Sequence, residues 1–295
     1  MFFPTAGIEC NPLIPPLAAF AVSLVTSMGG VSGAFLLLPF QMSFLGYTNP
    51  SVSATNQLFN VVATPSGVWR YAREGRLLWP LSVTVAIGTL PGVFIGALIR
   101  VNWLPDPAAF SVFAGLVLLY IGGRMARDCL KGKAAGGKRP MAAAHPQTHL
   151  LAWSMREVRY TYDGEEYAFN VRGVLMLTFV VGIVGGTYGI GGGAIIAPFL
   201  VSFFRLPVHT VAGASLLGTF LTSAAAVLFY MAIAPWYPTM SVRPDFALGL
   251  LLGLGGMAGM YCGARLQKYV PARAIRILLT VILLCTAARC LRALF

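Results

Sequence analysis

Apolar residues run through this chain in long blocks that charged residues interrupt only in short clusters. From Leu13 to Trp69 there is no Asp, Glu, Lys or Arg, and the same holds from Gly173 to Phe204 and from Phe246 to Ala264. Blocks of this kind suit a bilayer, where an unpaired charge is expensive. Helical spans of about 20 residues cross its hydrocarbon layer. The pattern predicts ten apolar segments. In a first half they fall at about 13–28, 33–47, 52–70, 77–100 and 107–128, and in a second at about 171–188, 193–205, 209–231, 244–265 and 271–293. The expected fold is an all-α polytopic membrane protein.

The first two segments of each half are short and are divided by glycine, at Gly29-Gly30-Val31-Ser32-Gly33 and at Gly189-Ile190-Gly191-Gly192-Gly193. Short paired segments broken by glycine point to discontinuous or re-entrant helices. The halves also match in register. Gly30, Gly33, Pro39, Phe40, Val52 and Tyr71 correspond to Gly189, Gly192, Pro198, Phe199, Val211 and Tyr230 at a constant offset of 159. Gly88, Gly92, Gly96 and Ala97 correspond to Gly255, Gly259, Gly263 and Ala264 at an offset of 167. Five segments per half is an odd number, so the second repeat is expected to be inverted. Loop charges agree with this. Arg70, Arg73 and Arg76 follow the third segment of half one, whereas its counterpart at 232–242 is uncharged; Arg265, Lys268 and Arg273 follow the fourth segment of half two. Under the positive-inside rule this puts both termini outside and the connector in the cytoplasm. Arg289 and Arg292 run against that placement.

The expected organisation is thus a first membrane repeat at 1–128, a connector at 129–170 and a second repeat at 171–295. The connector opens with a basic stretch, Lys131 to Arg139. It then alternates through Val158, Tyr160 and Tyr162 to Asp163-Gly164 and on through Tyr167 and Phe169. Asp-Gly between alternating apolar residues predicts a β-hairpin. It is read either as a docking module or as a solvated tie between the halves.

Composition narrows the function. Hydrophobic residues make up 57% and charged residues 10% of 295, with a net charge of +12. In a soluble protein that excess would suggest nucleic acid, but here the basic residues sit in short loops, so the expected partners are a lipid bilayer and a small solute, not nucleic acid. Five cysteines without a CxxC pair and three histidines give no metal-site pattern, so no metal or other cofactor is expected. The first apolar run lacks a preceding basic stretch, which argues against a cleaved signal peptide. No HExxH, GxSxG or Walker A motif is present, and no catalytic residues are assigned.

The candidate chemistry lies at the glycine breaks. A helix that starts inside a membrane offers free N–H groups and the positive end of its dipole to an anion, and glycine allows close approach. Gly29, Gly30, Ser32 and Gly33 form one such start, and Gly191, Gly192 and Gly193 the other. Polar residues on the following segments complete the set: Thr55, Asn56 and Gln57 in half one, Ser215 and Thr219 in half two. Asn56 and Ser215 are repeat equivalents and could donate to one ligand. Tight helix packing and interhelical hydrogen bonding are the competing explanations for glycines and amides alike. For the Gly88 and Gly255 series, packing is the expected role.

Gly191-Gly192-Gly193 followed by Pro198-Phe199, then Val211-Ala212-Gly213-Ala214-Ser215, then Gly259 to Ala264, is similar to the TauE/SafE family of sulfite exporters, also known as the toluene sulfonate uptake permease family. The likeness covers most of the chain outside the connector and recurs, more degenerately, in half one. It implies transport of small sulfur-containing anions, of sulfite, sulfonate or sulfoacetate type, across a prokaryotic inner membrane. Half one departs from the pattern in Met28-Gly-Gly-Val-Ser-Gly33 and in Asn56, which stands where serine is expected. An alternating-access carrier with a neutral site is the expected mechanism. An anion channel, or a scaffold or enzyme that uses the connector hairpin, is the alternative. Homo-oligomerisation is left open.

Overall fold

A computed structural model describes residues 1–28, 32–73, 75, 77–130, 148–162, 164–266, 270 and 272–292. Gly29 and Gly30, most of the basic stretch of the connector, Asp163 and the loop residues Arg76 and Lys268 lie outside the described residues. The helices follow the apolar segments closely. Half one contains α1 (Ile14–Met28), α2 (Ala34–Ser43), α3 (Ser51–Ala63), α4 (Pro65–Arg73), α5 (Trp79–Asn102) and α6 (Pro107–Leu130). Half two contains α7 (Val171–Tyr188), α8 (Gly193–Phe203), α9 (Val208–Ile233), α10 (Phe246–Leu266) and α11 (Ala272–Leu291). Five of these (α5, α6, α7, α9 and α10) contain stretches long and apolar enough to cross a membrane.

One expected segment is divided. The apolar run at 52–70 becomes α3 and α4, separated at Thr64. Pro65 has no N–H to return to Val61, so the ladder stops there. Thr64 closes the end of α3 by donating both its N–H, at 3.0 Å, and its hydroxyl, at 2.7 Å, to the Asn60 carbonyl. The half-two equivalent has no proline and α9 runs unbroken.

Each half reaches across to the other. α1 packs along α10, α5 along α7, and α6 along α11, while α3 meets α10 just as α9 meets α5. Glycine makes the two long contacts possible. A Cβ added at Gly92 would fall 2.8 Å from the Ile183 nitrogen, and one at Gly96 would fall 2.5 Å from the Thr187 nitrogen. In the second contact a Cβ at Gly259 would lie 3.0 Å from the Phe20 Cα, with Gly255 and Gly263 equally tight against Pro16 and Leu24. Backbones that touch in this way maximise dispersion where the hydrophobic effect does not act. Gly92→Ala should therefore force the α5–α7 pair apart. Overpacking of this kind costs about 1–3 kcal/mol, measurable as a lowered thermal midpoint in detergent. Gly123→Ala, where nothing lies within 4 Å, should leave the midpoint unchanged.

The bundle has two ends. One carries a short N-terminal hairpin, β1 (Phe2–Phe3) with β2 (Ile8–Glu9), which ties down the neighbouring loops. Asn49 donates to the Ala6 carbonyl at 3.1 Å, Ser241 to the Thr5 carbonyl at 2.6 Å, and the Ala6 N–H to Asp245 at 3.2 Å. The other end carries the connector, which forms three antiparallel strands, β3 (Thr148–Trp153), β4 (Glu157–Tyr162) and β5 (Glu165–Asn170). The expected hairpin is β4–β5, with Tyr160 opposite Tyr167; the β3 strand is an addition to that expectation. More than a solvated tie is present, because Val158, Tyr160, Tyr162 and Phe169 are buried. Tyr160 pairs with the Thr210 hydroxyl at 3.1 Å, at the start of α9. Burial pushes the Tyr160 phenol up to about 12.

Candidate functional site

Each glycine-broken pair forms a hairpin. α1 starts beside the N-terminal end, and α2 returns toward it, ending where the Ser43 carbonyl meets Arg289 of α11. α7 starts directly from the connector sheet, capped by the Asn170 side chain on the Gly173 N–H at 3.1 Å. α8 returns to that end, with Phe204 stacked beside Gly173. The two hairpins thus enter from opposite ends of the bundle, and their breaks meet inside it.

α3 joins them. Asn56 donates to the Ala34 carbonyl at 2.9 Å and to the Gly189 carbonyl at 2.9 Å, and accepts from Gln41 at 3.2 Å. One turn on, Asn60 accepts from the Ser32 hydroxyl at 2.7 Å and donates to the Ile190 carbonyl at 2.9 Å. Each asparagine therefore touches both breaks. Tyr188 adds a third tie through its hydroxyl to the Phe35 carbonyl at 2.8 Å. All of these side chains are buried. The carbonyls at Gly189 and Ile190 lie between α7 and α8, and the amides replace the helical partners they lack.

The second break is pressed closely by its neighbours. Gly189 takes a φ of +90° with Ser53 against it, and Gly191 a φ of +73°. A Cβ at Gly191 would fall 2.7 Å from the Ser223 hydroxyl, one at Gly192 would fall 2.5 Å from Thr89, and one at Gly193 would fall 2.5 Å from the Thr219 nitrogen. Ser223 in turn donates to Gln57 Oε1 at 2.7 Å.

The expected site residues divide into three groups. Ser32, Gly33, Asn56, Gly191, Gly192 and Gly193 lie at the breaks. Gln57, Ser215 and Thr219 flank the second break, Gln57 through Ser223 and the other two through Gly193. Thr55 does not join them. Its hydroxyl pairs with Tyr47 at 2.7 Å and accepts from the Asp245 N–H at 2.9 Å. One residue along a helix is about 100° of rotation, which turns Thr55 toward the N-terminal end of α10. Asn56, expected as a ligand donor, has both amide hydrogens committed to backbone. Free hydrogen-bonding capacity lies elsewhere: among the described residues, Gln57 Nε2, Ser215 Oγ, Ser23 Oγ and Gln41 Oε1 are buried without a partner.

Sequence reasoning missed two buried charges among the described residues, Arg100 and Asp245. Arg100 ends the apolar segment expected at 77–100, at the edge of the following loop; in the structure it lies within α5 and is fully buried. Its position in the sequence, two residues before the helix end, carries no signal of this. Among the described residues no group of three or more His, Cys, Asp or Glu gathers as a metal site.

A helical bundle with apolar spans and two internally broken hairpins defines a polytopic membrane protein. A family profile described as "Sulfite exporter TauE/SafE" matches residues 16–290, and the chain belongs to that family of membrane transporters. Relatives include a "Probable membrane transporter protein YunE" of Bacillus subtilis, 26% identical over 88% of this chain and 90% of its own length. Another is a "Probable membrane transporter protein y4hK" of Sinorhizobium fredii, 24% identical over 93% of this chain and 96% of its own length. No solved structure is matched.

Proposed function

We propose that the protein is a secondary transporter, not an enzyme, that moves small sulfur-containing anions of the sulfite, sulfonate or sulfoacetate type across a prokaryotic inner membrane. The observation that carries this reading is the meeting of the two breaks at Asn56 and Asn60. Hairpins entering from opposite ends, and the reciprocal packing of α1 on α10 and α5 on α7, support an inverted repeat and alternating access around that point. The connector sheet then lies in the cytoplasm with the basic loops. The Gln57 amide and Ser215 hydroxyl, buried and unpartnered, are the donors available to an anion beside the start of α8. The sulfur class rests on the family. With a neutral site, a coupled proton would travel on the substrate, as bisulfite.

Thermal stability of the purified protein against sulfite, thiosulfate, sulfate, sulfoacetate and an aryl sulfonate tests this, because a ligand raises stability by mass action. A sulfur oxyanion or sulfonate should stabilise selectively. Ser215→Ala should fold as well as the parent, since it removes a hydroxyl without a partner, and should bind that anion about tenfold more weakly. Selective stabilisation by a cation or an uncharged solute would refute the anion site. Substrate counterflow in proteoliposomes distinguishes a carrier from a channel.

A further inference from the structure

Among the described residues, no carboxylate pairs with Arg100, a cation inside the bundle. Its relative exposure is 0%. Nε donates to the Ser53 hydroxyl at 3.3 Å, Nη1 donates to the Leu104 carbonyl, and the guanidinium lies 3.7 Å from the centre of the Phe110 ring. Nη2 has no partner. The buried carboxylate in this part of the bundle, Asp245, is spent elsewhere, with Oδ1 on the Leu248 N–H at 3.0 Å and Oδ2 on the Ala6 N–H at 3.2 Å. A second donor is also unused. Tyr230 of α9 is fully buried, and among the described residues its hydroxyl has no partner. It belongs to one small buried cluster with Ala54, Ala97 and Val101, and Ala54 and Val101 are the chain neighbours of Ser53 and Arg100.

A purely structural Arg100 accounts for part of this. It closes the last turn of α5 through Leu104 and stacks on Phe110. It does not account for two N–H groups on Nη2 and a phenol left idle together, because buried donors without acceptors are costly. An intramembrane charge usually marks an ion path or a counter-ion. The position fits a path. Ser53, held by Arg100, donates weakly to the Thr187 and Tyr188 carbonyls at 3.5 and 3.4 Å, and its backbone presses against Gly189. The guanidinium thus stands one side chain from the second break. It lies on the side that leads to the loop at 103–106, where Tyr237 donates to Asn102 at 3.0 Å.

We propose that Arg100 and Tyr230 form a charged station for a small anion, distinct from the neutral donors at the break. The guanidinium edge at Nη2 supplies charge and N–H donors, and the phenol supplies an O–H donor. The ligand class is a small oxyanion, for which planar guanidinium geometry is well suited. Between the break and the N-terminal end, the station attracts the anion into a low-dielectric passage and hands it to, or takes it from, the neutral site. This inference rests on reading the protein as an anion carrier.

Anion-induced thermal stabilisation of the full chain in detergent tests it, with sodium sulfite and sodium sulfate as probes and sodium gluconate as the ionic-strength control. Tyr230→Phe removes only an unpartnered hydroxyl, so its ligand-free midpoint should match the parent. It should bind sulfite about tenfold more weakly, the loss expected for a hydrogen bond to a charged group. Arg100→Gln should weaken binding further, about a hundredfold. Unchanged sulfite affinity in Tyr230→Phe, with Arg100→Gln altering only the ligand-free midpoint, would reduce Arg100 to a helix cap while leaving the carrier reading intact. Equal stabilisation of the parent by sulfite and gluconate, lost in both variants, would keep the station as an anion site and overturn the restriction to sulfur anions. If neither anion stabilises the parent, both readings fall.

Discussion

Asn56→Leu should lower the stability of the protein by about 2–4 kcal/mol and abolish transport. Leucine keeps asparagine's branched side-chain shape with two methyl groups in place of the amide oxygen and nitrogen, so the change removes every hydrogen bond the amide makes. Three are lost: those to the Ala34 and Gly189 carbonyls, both at 2.9 Å, and the one accepted from Gln41. Interhelical hydrogen bonds in membranes average only about 0.6 kcal/mol, because a lone helix in lipid finds other partners. The Gly189 carbonyl differs from that average. It follows the end of α7 and precedes α8, so no helical N–H is on hand to replace the amide. The orphan penalty of about 1–3 kcal/mol per buried group then applies. Asn60→Leu should behave alike, since it frees the Ile190 carbonyl and the Ser32 hydroxyl. Because the two asparagines hold the same pair of breaks, the double variant should cost less than the sum of the single losses. Thermal and denaturant midpoints in detergent measure this. Midpoints within a degree or two of the parent for both single variants would mean that the breaks do not depend on α3.

The helices were legible because lipid enforces the simplest pattern a chain can carry: apolar for a span, charged between spans. The paired hairpins were legible because glycine clusters divide short apolar segments at equivalent places in both halves. Where tertiary contact decides, the pattern ran out. The β3 strand presents Leu150, Leu151 and Trp153 outward and shows no buried alternation. Its only assignment comes from pairing with β4. The β1–β2 hairpin is two residues per strand, too short for any periodicity. Pro65 lay inside an apolar run and its effect was passed over. Among the site residues, Thr55, Asn56 and Gln57 read as one polar cluster. Helical rotation then sends Thr55 to α10, Asn56 and Asn60 to the breaks, and Gln57 toward Ser223 on α9. Arg100 shows the converse. A charge near a helix end reads as the edge of a loop, and only Phe110 and Ser53 packed around it bring it inside.

Gly193→Ala should abolish transport, even though it adds a single methyl group in a helix that alanine favours. The new Cβ would fall 2.5 Å from the Thr219 nitrogen and hydroxyl oxygen, and closer still to the Ser215 carbonyl. The carbonyl and the nitrogen are backbone of α9 and cannot rotate away, so α8 itself must shift. The repeat makes the position asymmetric. Subtracting the offset of 159 from 193 gives residue 34, which is already alanine, so the equivalent helix of half one is built with that methyl in place. Overpacking costs about 1–3 kcal/mol, which should appear as a lower midpoint together with loss of sulfite counterflow. Gly46→Ala separates this effect from backbone strain. Gly46 has a φ of +71° but nothing within 4 Å of an added Cβ. It should cost about 1–2 kcal/mol from the left-handed conformation alone and leave counterflow intact. Normal transport by Gly193→Ala would show that the close approach of α8 to α9 has no part in the carrier cycle. A parental midpoint with lost anion stabilisation would instead assign the space at Gly193 to the ligand rather than to helix packing.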